Sequence, residues 1–278
     1  QNITNFMKGF IMRIRVLNEN DIRKVMDMKA AIEATKDALK AYSNGGADIP
    51  LRANLDISEH NGQSLYMYGY VPNENALGVK IVSVYPDNIA KNLTSVPATM
   101  VTLNSETGEV NSLIDGTYLT RLRTGAISGA ATDELANPDS KIFALFGTGG
   151  QAETQLEAVL NVRDIKEVRV FDISKDRAKD FVNRMKEKLR NSFDFEIKAV
   201  DSADQAIENA DIITTVTTAK EPVFDGTKVK KGCHINGVGS YTPEMSEIPE
   251  YIITNADKIY VDTFDGCLLY TSELPTKA

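Results

Sequence analysis

The sequence is poor in several residue types, and each shortage excludes a class of protein. It has no tryptophan, two cysteines and two histidines. Cys233 and Cys267 form no CxxC pair and no disulfide framework, so we expect a reducing compartment. His60 and His234 lack the spacing of metal ligands, and no Cys/His/Asp cluster indicates a metal. We expect His60 to be solvated and His234 to have a structural role.

Positive charge and long apolar runs are also scarce. The chain has 31 Lys and Arg against 39 Asp and Glu, a formal net charge of -8, which leaves no electrostatic footprint for nucleic acid or an anionic membrane surface. No apolar run approaches the roughly 20 residues of a membrane helix. The first residues, QNITNFMKGFIMRIRV, show no apolar region or cleavage site of a signal peptide. We therefore expect a cytoplasmic protein without nucleic-acid or membrane partners.

The residues that are present suffice for two domains. A chain of 278 residues with 42% hydrophobic and 25% charged side chains is typical of globular proteins of that size. Its pattern changes near residue 118. The earlier part reads as a helix at 28–46, several strands and a hairpin around Gly108, which predicts a smaller, mostly antiparallel α+β domain over 12–119.

After a helix rich in small residues at 120–136, strands and helices alternate strictly. The predicted strands are 141–147, 168–172, 196–200, 211–217, 234–239 and 258–262, and the predicted helices are 151–160, 174–190 (capped by Ser174) and 202–210. Such alternation with apolar strands predicts a parallel sheet covered on both faces. We expect an α/β protein whose residues 120–266 form a Rossmann-type doubly wound parallel sheet domain.

The stretch KIFALFGTGGQAETQ at 141–155 ends an apolar strand in a glycine-rich turn that leads directly into a helix. In this G-x-G-x-x-A pattern, the first glycine permits the tight turn and the second lets the backbone approach a pyrophosphate. The small last residue lets the helix pack on the strand. The helix N-terminus offers N–H groups to phosphates. The predicted cofactor-binding residues here are Gly147, Thr148, Gly149, Gly150, Gln151 and Ala152.

An acid follows at the expected distance from this turn. Asp172 ends the next strand, 25 residues after Gly147, where a carboxylate can bind both hydroxyls of a ribose. Such a carboxylate also repels a 2′-phosphate, which favours NAD over NADP. The alternative to a dinucleotide site is an ordinary tight turn at Gly147, with Asp172 as a turn or helix-capping residue. The strand, turn, helix and acid together favour a dinucleotide site and predict NAD as the cofactor.

Three basic residues have unusual surroundings. Arg52 lies in the strand-like stretch IPLRANL, Lys80 within the apolar strand LGVKIVSV, and Arg123 after YLTRL, where we expect a helix to begin. Burying such a lysine is costly unless an anion meets it, and together the three could clamp a carboxylate. The alternative is that each side chain extends to solvent or pairs with a surface acid.

Several stretches together resemble the ornithine cyclodeaminase/mu-crystallin family. The resemblance runs from about Leu17 to about Asp262. The stretches that carry it are PLRANL, LGVKIVSVYPDN, LNSETGEVNSLIDGTYLTRLRTGA, FGTGGQA, TTVTTAKEPVF and GCHINGVGSYTPEMSEI.

This resemblance implies roles for the residues already singled out. Arg52, Lys80 and Arg123 match the family's substrate-carboxylate site, and Thr217 falls among the cofactor-binding residues. The resemblance also implies a homodimer built through the first domain, which would then be a substrate-binding and dimerisation domain. The active site would lie in a cleft between the two domains.

The sequence departs from the family pattern in two places that concern activity. True ornithine cyclodeaminases have an aspartate after the last glycine motif, and Tyr241 stands at that place here. They also have a glutamate in the strand before the lysine, whereas QSLYMYGYV contains no acid. The chain therefore looks more like the alanine dehydrogenase and ketimine reductase branches. The resemblance ends near Cys267, so we interpret 267–278 as an unplaced tail from a truncation or frame-shift.

The resemblance implies an NAD(H)-dependent oxidoreductase that acts on a small α-amino or α-imino acid. Arg52 and Arg123 would fix the carboxylate, and Lys80, with a pKa lowered by its apolar surroundings, would polarise the imine or move a proton. Two alternatives remain open. One is ornithine cyclodeaminase, which converts ornithine to proline and ammonia with bound NAD. The other is a mu-crystallin-like protein that binds cofactor and ligand without turnover.

Overall fold

The computed structural model of the chain describes residues 13–240, 242 and 244–262. Two interpretations from the sequence concern residues outside the described ranges. They are the place of Tyr241 at the family's aspartate position and the origin of the tail at 267–278. The helices are α1 (Glu19–Val25), α2 (Met28–Ser43), α3 (Gly116–Leu135), α4 (Ala152–Val162), α5 (Lys175–Leu189), α6 (Ala203–Ile207) and α7 (Glu250–Asn255). No helix in these ranges is long and apolar enough to cross a membrane, and a cytoplasmic location stays a prediction.

The chain divides into two compact units. The first comprises residues up to 27 together with 37–120, and the second comprises 28–36 and the residues from 121 onwards. Segment 28–36 belongs to the second unit, and its residues Met28 and Ile32 are buried. Ile32 packs closely on α3, because a Cβ added at Gly129 would lie 2.6 Å from Ile32 Cδ1. The domain limits read from the sequence, 12–119 and 120–266, stay predictions.

The first unit contains a six-stranded sheet in the order β1-β6-β5-β4-β3-β2. Its strands are β1 (Arg15–Leu17), β2 (Ala53–Ile57), β3 (Gly62–Val71), β4 (Ala76–Val84), β5 (Ala98–Leu103) and β6 (Val110–Asp115). All neighbouring strands are antiparallel except β1 and β6, which are parallel. The mostly antiparallel α+β character predicted for this part of the chain is therefore correct.

The sequence analysis missed β1 and α1. Helix α1 has a capping box in which the Asn18 side chain accepts from Asp21 N and the Asp21 carboxylate accepts from Asn18 N, both at 3.2 Å. The Asn-x-x-Asp spacing before a short helix was the available signal. Both elements are short, so apolar periodicity alone does not reveal them.

The predicted start of α3 was wrong. The helix begins at Gly116 rather than at 120, because Asp115 Oδ1 accepts from Thr117 N at 2.9 Å and from Tyr118 N at 3.0 Å. A Cβ at Gly116 would lie 2.7 Å from Ala98 C, so only glycine fits between strand and helix. Arg123 consequently lies about two turns inside the helix and does not begin it.

The second unit confirms the Rossmann-type α/β fold. Its five-stranded sheet is entirely parallel and has the order β11-β10-β7-β8-β9. The strands are β7 (Ile142–Phe146), β8 (Glu167–Phe171), β9 (Glu196–Ala199), β10 (Ile212–Thr215) and β11 (His234–Gly237). The chain runs outward from β7 to β9 and then crosses to β10 on the other side of β7. The predicted Ser174 cap of α5 is also present, with Ser174 Oγ accepting from Arg177 N at 3.4 Å.

Apolar side chains cover this sheet on both faces. Phe143 and Leu145 of β7 belong to a core cluster with residues of α4 and α5, whereas Ala144 and Phe146 belong to a second cluster with residues of α6. All four are at most 1% exposed. Burial on both faces explains why the strand reads as a continuous apolar run.

One predicted strand of this unit is absent. Residues 258–262 form no strand, and none of the described strands pairs with them. Ile259, Tyr260 and Val261 are 52%, 60% and 45% exposed. An apolar, β-branched segment becomes a strand only where a neighbour accepts its backbone hydrogen bonds, so the prediction from composition was wrong here.

Candidate functional site

The sheet of the second unit has a topological switch point between β7 and β10. These strands are neighbours in space, while the chain leaves β7 towards β8 and returns to β10 only after β9. Open parallel sheets bind ligands in the crevice outside the carboxyl ends of the strands at such a point. Gly147 follows β7, and Val216 and Thr217 follow β10, with Val216 N donating to Phe146 O at 2.9 Å. The candidate site is therefore built from these two loops.

The glycines of the turn after β7 serve different purposes. Gly147 has φ +94°, and a Cβ there would lie 2.7 Å from Val216 O, so the chain itself requires glycine. A Cβ at Gly149 or Gly150 would meet nothing within 4 Å, and neither residue has a positive φ. Glycine at these two positions is therefore required neither by the backbone nor by packing. It leaves open space in front of the turn, as the close approach of a pyrophosphate demands.

Helix α4 begins directly behind this turn. Ala152 is fully buried, which is the close helix–strand packing expected of the small residue. The side chain of the N-cap residue Gln151 makes no capping hydrogen bond. The positive end of the helix dipole therefore faces the turn without a capping side chain from Gln151, which suits an anion.

Asp172 lies just after β8, as expected, and has a structural duty that the sequence did not specify. Its Oδ2 accepts from Thr148 N at 3.0 Å and Thr148 Oγ1 at 2.6 Å, and its Oδ1 accepts from Ser174 N at 3.0 Å. The residue is 8% exposed. Asp172 thus joins the turn after β7 to the turn after β8. Its binding of the ribose stays a prediction.

The sequence analysis missed the neighbour of Asp172. Ile173 is 96% exposed, although its side chain is apolar and large. A single exposed apolar residue needs no explanation by itself, but this one directly follows the predicted ribose carboxylate. The signal was an isoleucine in the otherwise polar turn after Asp172.

Thr217, named from the family resemblance, lies at the carboxyl edge of the sheet. Its N and Oγ1 donate to Glu247 Oε1 at 2.6 and 2.8 Å, and Gly239 N donates to Glu247 Oε2 at 2.6 Å. Glu247 is 2% exposed. The sequence analysis did not select Glu247, because nothing local distinguishes a glutamate in MSEIP from a surface acid.

Lys80 and Arg52 both belong to the first unit. Lys80 is half-buried on β4, opposite Met67 of β3 and Met100 of β5. Arg52 is exposed and immediately precedes β2. Asn54 pairs with Leu65 of β3, so the alternation of side chains places position 52 on the face of the sheet that carries Met67 and Lys80.

Arg123 lies on α3 within the second unit. Its side chain is exposed, yet surrounding protein desolvates the guanidinium and lowers its pKa from the ordinary value, while the negative charge of Asp262 opposes the shift. The convergence of Arg52, Lys80 and Arg123 on one carboxylate stays a prediction.

The histidines and the described cysteine show no catalytic arrangement. His234 Nε2 lies 3.0 Å from Asn236 Oδ1, and burial lowers the pKa of its imidazole. His60 is exposed. Burial raises the pKa of the Cys233 thiol to about 12, which keeps it protonated at neutral pH. In the part of the chain that the structure describes, no group of three or more His, Cys, Asp or Glu could hold a metal ion.

The parallel sheet, its switch point and its glycine turn define an α/β protein of the Rossmann type. The chain belongs to the ornithine cyclodeaminase/mu-crystallin family, whose model matches residues 12–266.

Known proteins of this family resemble the chain over most of its length. A Δ1-pyrroline-2-carboxylate reductase of Bacillus cereus is 36% identical over 93% of this chain and 78% of its own length. The solved Δ1-pyrroline-2-carboxylate reductase of Thermococcus litoralis, in complex with NADH and L-proline, is 42% identical with a TM-score of 0.80 over 86% of this chain and 72% of that one. An archaeal alanine dehydrogenase dimer with bound NAD is 31% identical with a TM-score of 0.77 over 87% and 72%.

Proposed function

We propose that this protein is an NAD(H)-dependent oxidoreductase that reduces a small α-imino acid. The observation that carries the cofactor is the glycine turn at the switch point, where two glycines leave space that the chain itself does not use. The substrate class rests on the 42% identity to a reductase that binds NADH and L-proline. The expected cofactor residues are Gly147, Thr148, Gly149, Gly150, Gln151, Ala152, Asp172 and Thr217, and Ile173 joins them on the adenine side.

The basic residues would bind the substrate and supply a proton to it. When bound, NADH supplies the hydride that reduces the carbon–nitrogen double bond at Cα. Arg52 and Arg123 would hold the carboxylate with their planar, two-pronged donors and so orient Cα. Lys80 would give a proton to the imine nitrogen, so that one N–H bond breaks on lysine and one forms on the product, and would regain the proton from solvent.

A cyclic imine of the Δ1-pyrroline-2-carboxylate type is the first candidate substrate, because two of the relatives above act on it. Reductive amination of pyruvate is the second candidate, favoured by the similarity to an alanine dehydrogenase. Ornithine cyclodeaminase activity is the third possibility, and Tyr241 in place of the aspartate speaks against it.

One experiment separates these candidates. The purified chain is incubated with NADH and Δ1-pyrroline-2-carboxylate, with NADH, pyruvate and ammonia, or with NAD and ornithine. We expect NADH oxidation with the cyclic imine at the highest kcat/KM. Oxidation only with pyruvate and ammonia would assign an alanine dehydrogenase, and proline plus ammonia from ornithine without net redox change would assign a cyclodeaminase. Binding of NADH without turnover of any of them would favour a binding protein.

We also propose a homodimer formed through the sheet of the first unit. Tyr66 pairs with Ile81 of β4 and with Ala53 of β2, so Leu55, Tyr68 and Ile81 share one face. They are 57%, 46% and 37% exposed. An apolar, aromatic sheet face of this kind is typical of a protein–protein contact, and an alanine dehydrogenase relative is a dimer.

A further inference from the structure

We propose that Glu247 is a positioning residue of the cofactor site: its buried carboxylate holds the loops after β10 and β11 in the shape that the nicotinamide half of NADH requires. The inference rests on the proposed function. A dinucleotide lies across the switch point. Because Asp172 stands on the β8 side with the adenosine half, the nicotinamide half lies on the β10 and β11 side.

The carboxylate accepts three hydrogen bonds from two loops. Oε1 accepts from Thr217 N and Oγ1 at 2.6 and 2.8 Å, and Oε2 accepts from Gly239 N at 2.6 Å. Hydrogen bonds to an ionised acceptor are stronger than those between neutral groups, most of all in a site with little water. At 2% exposure, Glu247 joins the two loops from within the protein instead of facing the ligand.

The two loops touch each other at the same place. A Cβ at Gly239 would lie 2.1 Å from Thr217 O and 2.7 Å from Glu247 Oε1, so no side chain fits between them. The loop after β10 also touches the glycine turn after β7, since a Cβ at Gly147 would lie 2.7 Å from Val216 O. A shift of the Glu247 carboxylate would therefore be passed to both loops.

The backbone of Glu247 is fixed as well. Val223 N donates to Glu247 O at 3.0 Å, and Ser246 N donates to Ala219 O at 3.0 Å. The glutamate therefore enters the site from a segment that is itself bound to the loop after β10. Such an arrangement positions a loop with little freedom to rearrange, which is what pre-organised binding requires.

The chain offers a matched control at the opposite edge of the same sheet. Asp211 Oδ2 accepts from Lys141 N at 2.7 Å and from Ile142 N at 2.8 Å, near the amino ends of β7 and β10. Asp211→Asn replaces a carboxylate by an amide, as Glu247→Gln does, and removes the negative charge that pairs with Lys230, whereas in Glu247→Gln the amide nitrogen cannot accept one of the loop hydrogen bonds. Both variants should lose stability, but only Glu247 lies beside the proposed position of the nicotinamide half.

The test compares the binding of NADH and of 5′-AMP to the full chain by calorimetry, below the unfolding temperature of every variant. We expect Glu247→Gln to raise the Kd of NADH by about tenfold or more while the Kd of 5′-AMP stays unchanged, and Asp211→Asn to leave both constants unchanged. Should Glu247→Gln not fold, Glu247→Asp keeps the charge, retracts the carboxylate by one methylene and should weaken NADH in the same selective way.

Four outcomes would overturn the proposal. Equal weakening of NADH and 5′-AMP, or an equal effect of Asp211→Asn, would reduce Glu247 to a general stabilising residue. Unchanged NADH affinity in a folded Glu247 variant would show that the loops keep their shape without it. A wild-type chain that binds no NADH would overturn the proposed function and this inference together. The other results overturn only the role of Glu247, because the wild type still binds NADH in them.

Discussion

At the scale of single residues, Asp172 combines two demands on one carboxylate. An ionised carboxylate accepts about four hydrogen bonds, and Thr148 and Ser174 already supply three. In the predicted ribose role, one acceptor site and the negative charge are left for the 2′-substituent. Discrimination between NADH and NADPH would then come from repulsion of the 2′-phosphate more than from a two-pronged grip on the ribose.

We therefore expect NADH to bind at least about tenfold more tightly than NADPH, about 1.4 kcal/mol. Asp172→Ala should narrow that gap and also lower Tm, because Thr148 and Ser174 lose their acceptor. Asp176→Ala, an exposed acid in the first turn of α5, should change neither quantity. Equal affinities of the wild type for both cofactors, measured by calorimetry, would refute the ribose assignment.

Arg123 should act through geometry as well as charge. Arg123→Lys keeps the positive charge but loses the planar fork. We expect a higher KM for the imino acid and a kcat/KM lower by about 10- to 100-fold, about 1.4 to 2.7 kcal/mol. The Kd of NADH should stay the same, because the predicted clamp binds the substrate and not the pyrophosphate. An unchanged kcat/KM would remove Arg123 from the site.

Lys80 should matter for turnover more than for binding. Lys80→Met preserves the length and the apolar stem of the side chain but removes the proton that the imine nitrogen needs. We expect kcat to fall to background in steady-state assays while NADH binding persists. A variant that retains wild-type kcat would mean that solvent or another group supplies the proton.

At the scale of elements, one side chain closes the C-terminal end of α3. The Arg163 guanidinium donates to Thr132 O, Asp133 O and Ala136 O at 2.8, 2.8 and 2.7 Å, and it forms an ion pair with the Asp133 carboxylate at 3.1 Å. Its side chain is 7% exposed. These bonds satisfy carbonyls that the end of a helix leaves without partners.

Arg163→Met should therefore destabilise the protein by roughly 3 kcal/mol, because three carbonyls at the end of α3 lose their donor. Urea denaturation measures this change. Arg190→Met, at the exposed C-terminal end of α5, should change the free energy of unfolding far less. A comparable loss in both variants would show that the carbonyl contacts of Arg163 contribute little.

At the scale of the whole molecule, the exposed apolar face of the first unit's sheet should be covered by a second copy. We expect sedimentation analysis to show a dimer and Ile81→Glu to shift it to a monomer, because a charge in the centre of an apolar interface is desolvated without a partner. Ile89→Glu is the matched control, since Ile89 is 70% exposed in the turn after β4. A monomeric wild type would contradict the proposal.

The sequence by itself determined the class of the second unit and the position of its glycine turn. Strict alternation of apolar strands with helices, and the glycine pattern at 147–152, are properties of contiguous residues, so they can be read without knowing the tertiary contacts. The basic residues Arg52, Lys80 and Arg123 were also selected from local surroundings, together with the family resemblance. Their local structure was harder to predict, and the start of α3 was misplaced because its cap, Asp115, closes the preceding strand.

Only the tertiary structure decided which of these local features meet. The strand order places β7 beside β10 and so brings Gly147 against Val216, and it brings Glu247 onto Thr217, 30 residues away along the chain. It also decided that the apolar segment 258–262 is no strand, because strand formation depends on a neighbouring backbone as well as on composition. Hydrogen bonds of buried carboxylates such as Glu247 and Asp172 join distant loops, and no periodicity within either loop encodes them.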